Sequence, residues 1–117
     1  MTIKRIGMGT RMSACVVHGG VARLAGYVAE AAAGKSVKEQ TADILAQIDA
    51  TLAEAGTDKT KILKANIWLT SMSGFAQMNE AWDAWVPQGH TPARATVESP
   101  KLAGPGLDVE IMVEAAI

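Results

Sequence analysis

The residues best suited to chemistry lie in "HTPARATVESP", residues 90–100. Pro92 ends the preceding element, and the side chains after it alternate between small or apolar and polar, which is typical of a short strand. Arg94 stands in this strand, and its fork of N–H donors suits bidentate binding of a carboxylate. The alternative is a cross-strand ion pair between Arg94 and Glu110 or Glu114 on a wet sheet face, an arrangement that contributes about 0–1 kcal/mol.

The other reactive residue types lack partners in the sequence. Cys15 stands alone in an apolar run, where a thiol usually packs in the core. His18 and His90 have no second ligand or base at a useful spacing, so the pattern gives neither a metal site nor a catalytic triad. Asn79 interrupts the apolar stripe of a predicted helix, where it either hydrogen-bonds at the core edge or contacts a ligand. The pattern alone therefore gives one candidate arginine and no reaction.

Composition narrows the class of protein. The 117 residues are 49% hydrophobic and 20% charged, which predicts a single folded domain over residues 1–117. The net charge is −1 and no Lys/Arg block is present, so neither nucleic acid nor an anionic membrane is an expected partner. One cysteine, no signal-like apolar run near the start and no stretch of about 18 apolar residues favour a cytoplasmic protein.

Two helices and six strands are predicted to position the arginine, in the order β-β-β-α-β-α-β-β. Gly19-Gly20 forms the tight turn of a hairpin. Ser36 and Glu39 form a capping box, and Gly56 ends the helix that begins there, which gives a helix over about 37–55. The second helix lies within "SMSGFAQMNEAWDAWV", with Ser71 or Ser73 as its cap, and the later strands are "ILKANIWLT", 93–98 and about 107–115.

Two helices on one face of a mainly antiparallel sheet make an α+β two-layer sandwich. The side chains predicted to face the helices are Leu63, Ala65, Ile67, Leu69, Ala93, Ala95, Val97, Leu107, Val109, Ile111 and Val113. Those predicted on the opposite face of the last two strands are Arg94, Thr96, Glu98, Asp108, Glu110, Met112 and Glu114. Only one face of the sheet is covered by helices, so water or another subunit must cover the second.

Several segments resemble a known family. "TPARATVE", followed by a "DVEI" strand, resembles the closing motif of the RidA/YjgF family of reactive-intermediate deaminases. "LAQIDATLAEAG", "DKTKILKANIWL" and "FAQMNEAWDAW" are similar to the central part of that family, in a form close to its YoaB-like branch. The similarity runs from about Arg11 to Ala116.

The resemblance implies a chorismate-mutase-like fold and a homotrimer, with clefts between subunits and the uncovered sheet faces turned inward. It also implies an activity: hydrolysis of 2-imino or 2-enamino acids, which escape from pyridoxal-phosphate enzymes, to 2-keto acids and ammonia. Neither a cofactor nor a metal is required for that reaction.

The family's ligand-binding positions can be carried over residue by residue. Arg94 matches the arginine that binds the substrate carboxylate and is the catalytic candidate. Gly26 and Thr96 match positions whose backbone N–H groups face the ligand, and Asn79 matches an asparagine near the cleft. Tyr27 would also reach the cleft if its side chain turned inward.

Three residues depart from the family pattern. Ala25 stands where many members have serine, Met12 falls near the place of a tyrosine, and Met112 takes the position of a glutamate credited with ordering the attacking water. These departures concern the substrate range and water activation, and they leave the carboxylate anchor in place. Met112 also favours an alternative, a trimer that binds small carboxylates such as keto acids for regulation without turnover. A ribonuclease is disfavoured by the neutral charge and the lack of a His/Glu constellation.

Overall fold

The computed structural model describes residues 2–117, in which two α-helices pack on one face of a seven-stranded sheet. The strands are β1 (Lys4–Ile6), β2 (Cys15–His18), β3 (Val21–Leu24), β4 (Tyr27–Val28), β5 (Ile62–Leu69), β6 (Ala93–Glu98) and β7 (Val109–Ala116). The helices are α1 (Val37–Ala55) and α2 (Phe75–Trp85), with short 3₁₀ turns at Glu30–Ala32, Lys59–Lys61 and Met72–Gly74. The predicted α+β two-layer fold is confirmed, and the short strand β4 is added to the predicted order.

The sheet order is β1-β2-β3-β7-β5-β6, and β4 also pairs with β7. All pairings are antiparallel except β5 with β6, which are parallel and joined through α2. A parallel pair needs a crossover connection, and α2 supplies it on the covered face. Strand β6 therefore lies at one end of the sheet, far from the hairpin of β2 and β3.

Local sequence signals determine where the elements begin and end. Gly19 and Gly20 have φ values of 60° and 78°, as a primed turn between β2 and β3 requires. The Ser36 side chain accepts a hydrogen bond from the backbone N–H of Glu39, and Gly56 ends α1 at φ 88°. The predicted bounds of this helix are confirmed.

The core lies between the helices and the covered face of the sheet. Its largest fully buried members include Ile44, Leu45, Ile48, Leu52, Ile67, Leu69, Met78, Val109, Ile111 and Val113. This packing confirms the predicted helix-facing row of β7 and most of that of β5. Neither helix of residues 2–117 has the length and apolarity needed to cross a bilayer.

Two predicted placements on the covered face are wrong. Leu63 is 51% exposed, because an irregularity in the pairing with β7 between Ile62 and Lys64 shifts the alternation at that point. In β6 the two faces are exchanged: Arg94, Thr96 and Glu98 pair beside the buried Ala65, Ile67 and Leu69, whereas Ala93, Ala95 and Val97 are exposed with the open face. The predicted helix-facing row of β6 was Ala93, Ala95 and Val97. In this edge strand these small apolar side chains instead lie on the open face of the sheet.

Candidate functional site

Arg94 extends from β6 towards α2 and is half-buried. Its Nη1 lies 3.8 Å from the Sδ of Met78. Its Cζ lies over two aromatic rings, 5.3 Å from the ring centroid of Trp82 and 5.9 Å from that of Phe75. These distances are typical of cation–π contacts. The charge of Arg94 is thus held by aromatic and thioether groups from one face of α2.

No carboxylate neutralises this guanidinium within residues 2–117, where the ion pairs are Arg23 with Glu114 and Lys38 with Glu80. The alternative of an Arg94 ion pair with Glu110 or Glu114 is therefore wrong for the single chain. The physical reason is that Arg94 extends from the helix-covered face of the sheet, whereas Glu110 and Glu114 extend from the open face. Glu114 also has its own partner, Arg23, at 3.5 Å. A half-buried guanidinium without a counter-ion can bind an anion from solution.

Thr96 lies two residues along β6, on the same face as Arg94. Its Oγ1 is buried and has no hydrogen-bond partner within the described chain. A buried hydroxyl without a partner costs about 1–3 kcal/mol, so this position favours the approach of a group that can hydrogen-bond to Oγ1. The family resemblance implies that the backbone N–H of Thr96 faces the ligand, and this group lies in the same edge strand as Arg94.

Asn79 belongs to the same region of α2. It follows Phe75 by one helical turn and adjoins Met78, so it shares the helix face that contacts Arg94. It is half-buried. Arg94, Thr96 and Asn79 therefore form a first group of predicted site residues, which we call the arginine group.

A second group lines an open cleft of about 730 Å³ between the loop after β1, the β3–β4 connection and α1. Three predicted site residues lie on its wall: Met12, Gly26 and Tyr27. Met12 is 66% exposed, so its side chain is available to a molecule that enters the cleft. We call this second group the glycine cleft.

The hydroxyl of Tyr27 is engaged inside the chain and does not point freely into the cleft. It lies 2.7 Å from the Oγ1 of Thr51 and donates a longer bond, 3.4 Å, to the carbonyl of Ala14. Burial raises the pKa of Tyr27, and the hydrogen bond with Thr51 opposes that shift in part. Tyr27 therefore contributes a neutral ring edge to the cleft wall.

Glu110 is a site candidate that neither the sequence pattern nor the family resemblance indicated. A Cβ built on Gly26 would lie only 2.1 Å from the Oε2 of Glu110, so the carboxylate packs directly against the glycine backbone. Glu110 pairs in register with Val28 of β4, which explains the contact. Met112 lies on the same open face of β7, opposite Asn66. The alternation of β7 in the sequence could have indicated Glu110, because it puts Glu110 on the same face as Met112 and two residues from it.

The two groups do not meet within one chain. From β4 to β6 the path crosses β7 and β5, which is three strand spacings or roughly 14 Å. Arg94 also faces the helices, whereas the carboxylate of Glu110 lies on the open face. One chain therefore provides two incomplete half-sites, one at the β6 edge of the sheet and the other three strand spacings away at β4.

The remaining reactive side chains have structural surroundings. Cys15 is fully buried, and this burial, more than the nearby Glu54, raises the pKa of its thiol, which disfavours the thiolate. Among residues 2–117, no group of three His, Cys, Asp or Glu side chains is placed to hold a metal ion.

Comparison with known proteins gives the class of this molecule. The sequence profile of a family described as "Endoribonuclease L-PSP" matches residues 2–117. A RutC family protein of Haemophilus influenzae is 44% identical over 113 residues, which is 97% of each chain. The RutC family protein YoaB of Escherichia coli is 44% identical over all 117 residues of both chains.

Solved structures agree with the sequence comparison. A YjgF-family protein of Neisseria meningitidis superposes with a TM-score of 0.94 at 48% identity, covering 99% of this chain and 95% of the other. The chain belongs to the YjgF/RidA family, as its closing motifs indicate. The Haemophilus influenzae and Escherichia coli relatives both carry the name RutC family, and the similarity to them covers 97% and 100% of this chain.

Proposed function

We propose that this protein hydrolyses 2-imino and 2-enamino acids to 2-keto acids and ammonia. The observation that carries the proposal is the half-buried guanidinium of Arg94, which no carboxylate within residues 2–117 neutralises. Family membership supports the choice of a small carboxylate as its ligand. The protein acts in the cytoplasm, where it protects other enzymes from imines released by pyridoxal-phosphate enzymes.

The reaction needs little from the protein beyond binding and orientation. Arg94 binds the substrate carboxylate through two parallel N–H donors, and this fixes the imine carbon in place. Backbone N–H groups at Gly26 and Thr96 supply further donors to the ligand. Water adds to the protonated C=N carbon, a proton moves from the added oxygen to nitrogen, and the tetrahedral carbinolamine expels ammonia to leave the keto acid.

Glu110 orients the attacking water in this proposal. The family glutamate credited with that role is replaced by Met112, whose thioether sulfur is only a weak acceptor and cannot take up a proton from water. Glu110 is the carboxylate that packs against Gly26, and the family resemblance implies that the backbone of Gly26 faces the ligand. A carboxylate at that place accepts a proton from water as it attacks and returns it to the leaving amine.

The active form is a homotrimer with its sites between subunits. The separation of the arginine group from the glycine cleft supports this assembly, because a symmetric neighbour can bring the arginine group of one copy to the cleft of the next. The open face supports it too, since no helix covers this side of the sheet and it carries the half-buried Trp68 and Met112 beside Val97, which is 50% exposed. The trimer has neither a cofactor nor a metal in its reaction.

An assay of imine hydrolysis tests the proposal. An imino acid is generated in situ by an amino-acid oxidase, and keto-acid and ammonia release are followed with and without the protein. We expect Arg94→Ala to lower kcat/KM by about 10- to 150-fold, the equivalent of about 1.5–3 kcal/mol for a hydrogen bond to a charged group. Its circular dichroism spectrum should match that of the wild type. A wild-type rate equal to that of buffer, over several imino acids, would remove the proposal.

Binding without turnover is the second candidate, and Met112 is the observation that favours it. In that case calorimetry with 2-oxobutyrate shows binding that is lost in Arg94→Ala, while imine hydrolysis stays at the buffer rate. Nuclease action, which the family description names, has less support in this chain, because a net charge of −1 gives little attraction for a phosphate backbone.

A further inference from the structure

The exposed aromatic ring of Phe75 lacks a role in the core. Phe75 opens α2 and is 38% exposed, whereas Trp82 on the same helix face is only 5% exposed and belongs to the hydrophobic core. Both rings lie beneath the Cζ of Arg94. Burial in the core explains why an aromatic residue stands at position 82. It does not explain the aromatic residue at position 75, whose contact is with the Arg94 guanidinium.

We propose that Phe75 is a positioning residue, which together with Trp82 holds the Arg94 guanidinium in the orientation that binds a carboxylate. This inference rests on the proposed function, since it concerns the same anion site. Phe75 acts through Arg94 and does not contact the reacting atoms.

Two aromatic contacts orient an arginine without neutralising it. An internal carboxylate would compete with the substrate for the N–H donors, whereas a ring attracts the cation through its face and leaves the N–H edges free for a ligand. The Met78 sulfur, at 3.8 Å from Nη1, is a weak acceptor and competes little. The site thus keeps a full positive charge in a restricted geometry.

Loss of the Phe75 ring should weaken binding, because fewer molecules would then hold Arg94 in the rotamer that binds a carboxylate. When only a fraction of the molecules present Arg94 correctly, the apparent Kd rises by the inverse of that fraction. Chemistry in the bound complex is unchanged, because bound substrate selects the competent rotamer. The expected signature is therefore a higher KM and a higher Kd at constant kcat.

The variants Phe75→Leu and Phe75→Tyr separate the ring from its bulk. Leucine keeps an apolar side chain without a π face, and tyrosine keeps the ring. We expect Phe75→Leu to raise the Kd for 2-oxobutyrate and the KM for the imino acid roughly two- to fivefold, the effect of one exposed cation–π contact. Phe75→Tyr should restore wild-type values, and both variants should keep the thermal midpoint of the wild type, because the side chain is exposed.

Ligands of different size distinguish positioning from direct contact. Pyruvate and 4-methyl-2-oxopentanoate should lose affinity in Phe75→Leu by the same factor, because they share the carboxylate. A loss that grows with the size of the ligand's side chain would overturn the inference, and so would an unchanged Kd in Phe75→Leu.

A measurement without ligand keeps this inference separate from the proposed function. In NMR spectra of arginine side chains, the Arg94 Nε–H signal should be dispersed in the wild type and in Phe75→Tyr and should collapse towards the exposed arginines in Phe75→Leu. An Arg94 signal that is the same in all three proteins overturns the positioning role. A wild type that binds and hydrolyses nothing, but shows the expected NMR pattern, overturns the function alone.

Discussion

At the scale of single residues, the candidate site consists of charged groups that have no ion-pair partner and a polar group that has no hydrogen-bond partner within residues 2–117. Arg94 contacts Met78 and two aromatic rings in place of a carboxylate, and Thr96 keeps a buried hydroxyl without a partner. On the other side of the sheet, the Glu110 carboxylate packs on Gly26. The unpartnered hydroxyl of Thr96 costs stability in the isolated chain, and in the proposed function a ligand or a neighbouring subunit supplies the missing partner.

Gly26→Ala tests whether the place of the Glu110 carboxylate matters for turnover. The new methyl group would lie 2.1 Å from the Oε2 of Glu110, so the carboxylate must move away. Because Oε2 is at the flexible end of the side chain, we expect a loss of about 1 kcal/mol or less in the free energy of unfolding. We expect a large fall in kcat and little change in the urea midpoint. Glu110→Gln should lower kcat similarly, and the double variant should be no worse than either single one, because both changes disable one function. Additive losses in the double variant would show that Gly26 and Glu110 act independently.

The pH dependence of stability follows from Cys15 and Tyr27, whose pKa values are both raised by burial. A raised pKa means that folding favours the neutral form, so this stability is complete below the unfolded pKa values, about 8.5 and 10, and is lost as the pH rises through the folded values. We expect the urea midpoint to fall between about pH 8 and pH 10.5. Tyr27→Phe should reduce the fall at the upper end. A midpoint that stays level or rises over this range would contradict the burial of both groups.

At the scale of elements, capping and periodicity in the sequence were sufficient to predict α1, the Gly19-Gly20 hairpin and the buried row of β7. The facing of β6 could not be predicted this way. Its apolar positions are two alanines and one valine, and small residues fit either a packed helix layer or a subunit contact. The alternation predicts which residues of β6 share a face, but it does not tell which of the two faces packs against the helices.

The role proposed for Glu110 could not be predicted from the sequence for a related reason. Its contact with Gly26 depends on the two-residue strand β4, which pairs with β7 and is too short to give a periodic signal. The resemblance drew attention to Met112, because that position departs from the family. Arg94, by contrast, could be named as a candidate, because it lies in a short continuous segment that resembles the family's closing motif.

One buried side chain joins α1 to the loop before β7. Gln40 is fully buried; its Nε2 donates to the carbonyls of Lys35 and Gly106, and its Oε1 accepts from the backbone N–H of Asp108. Gln40→Met keeps the shape but leaves these groups unsatisfied, so we expect a loss of about 2–4 kcal/mol in the free energy of unfolding. Urea denaturation measures it, with the exposed Gln88→Met as control. A change below about 0.5 kcal/mol, the range of ordinary surface substitutions, would mean that water replaces these bonds.

At the scale of the whole molecule, the proposed assembly rests on the open face of the sheet. Trp68 lies there on β5, paired with Glu110 and Val97, and no helix covers it. A trimer would bury this face, and it would bring the two half-sites of neighbouring copies together.

Trp68→Lys tests the assembly through this face. A lysine beside Glu110 is tolerated in a monomer but is costly in a dry subunit contact. We expect light scattering to give a trimer mass for the wild type and a smaller species for Trp68→Lys, with loss of imine hydrolysis and an unchanged circular dichroism spectrum. Ala53→Lys, on the exposed side of α1, should remain trimeric. If Trp68→Lys keeps the wild-type mass, the subunits do not meet through this face.

Complementation between two inactive variants tests the central claim most directly, namely that Arg94 of one subunit and the Glu110–Gly26 contact of its neighbour form one site. Arg94→Ala and Glu110→Gln are unfolded together in equal amounts, refolded, and assayed for imine hydrolysis. In randomly mixed trimers roughly one quarter of the shared sites contain both intact residues, so we predict about a quarter of the wild-type activity. A mixture no more active than the two variants refolded separately would contradict a site shared between subunits.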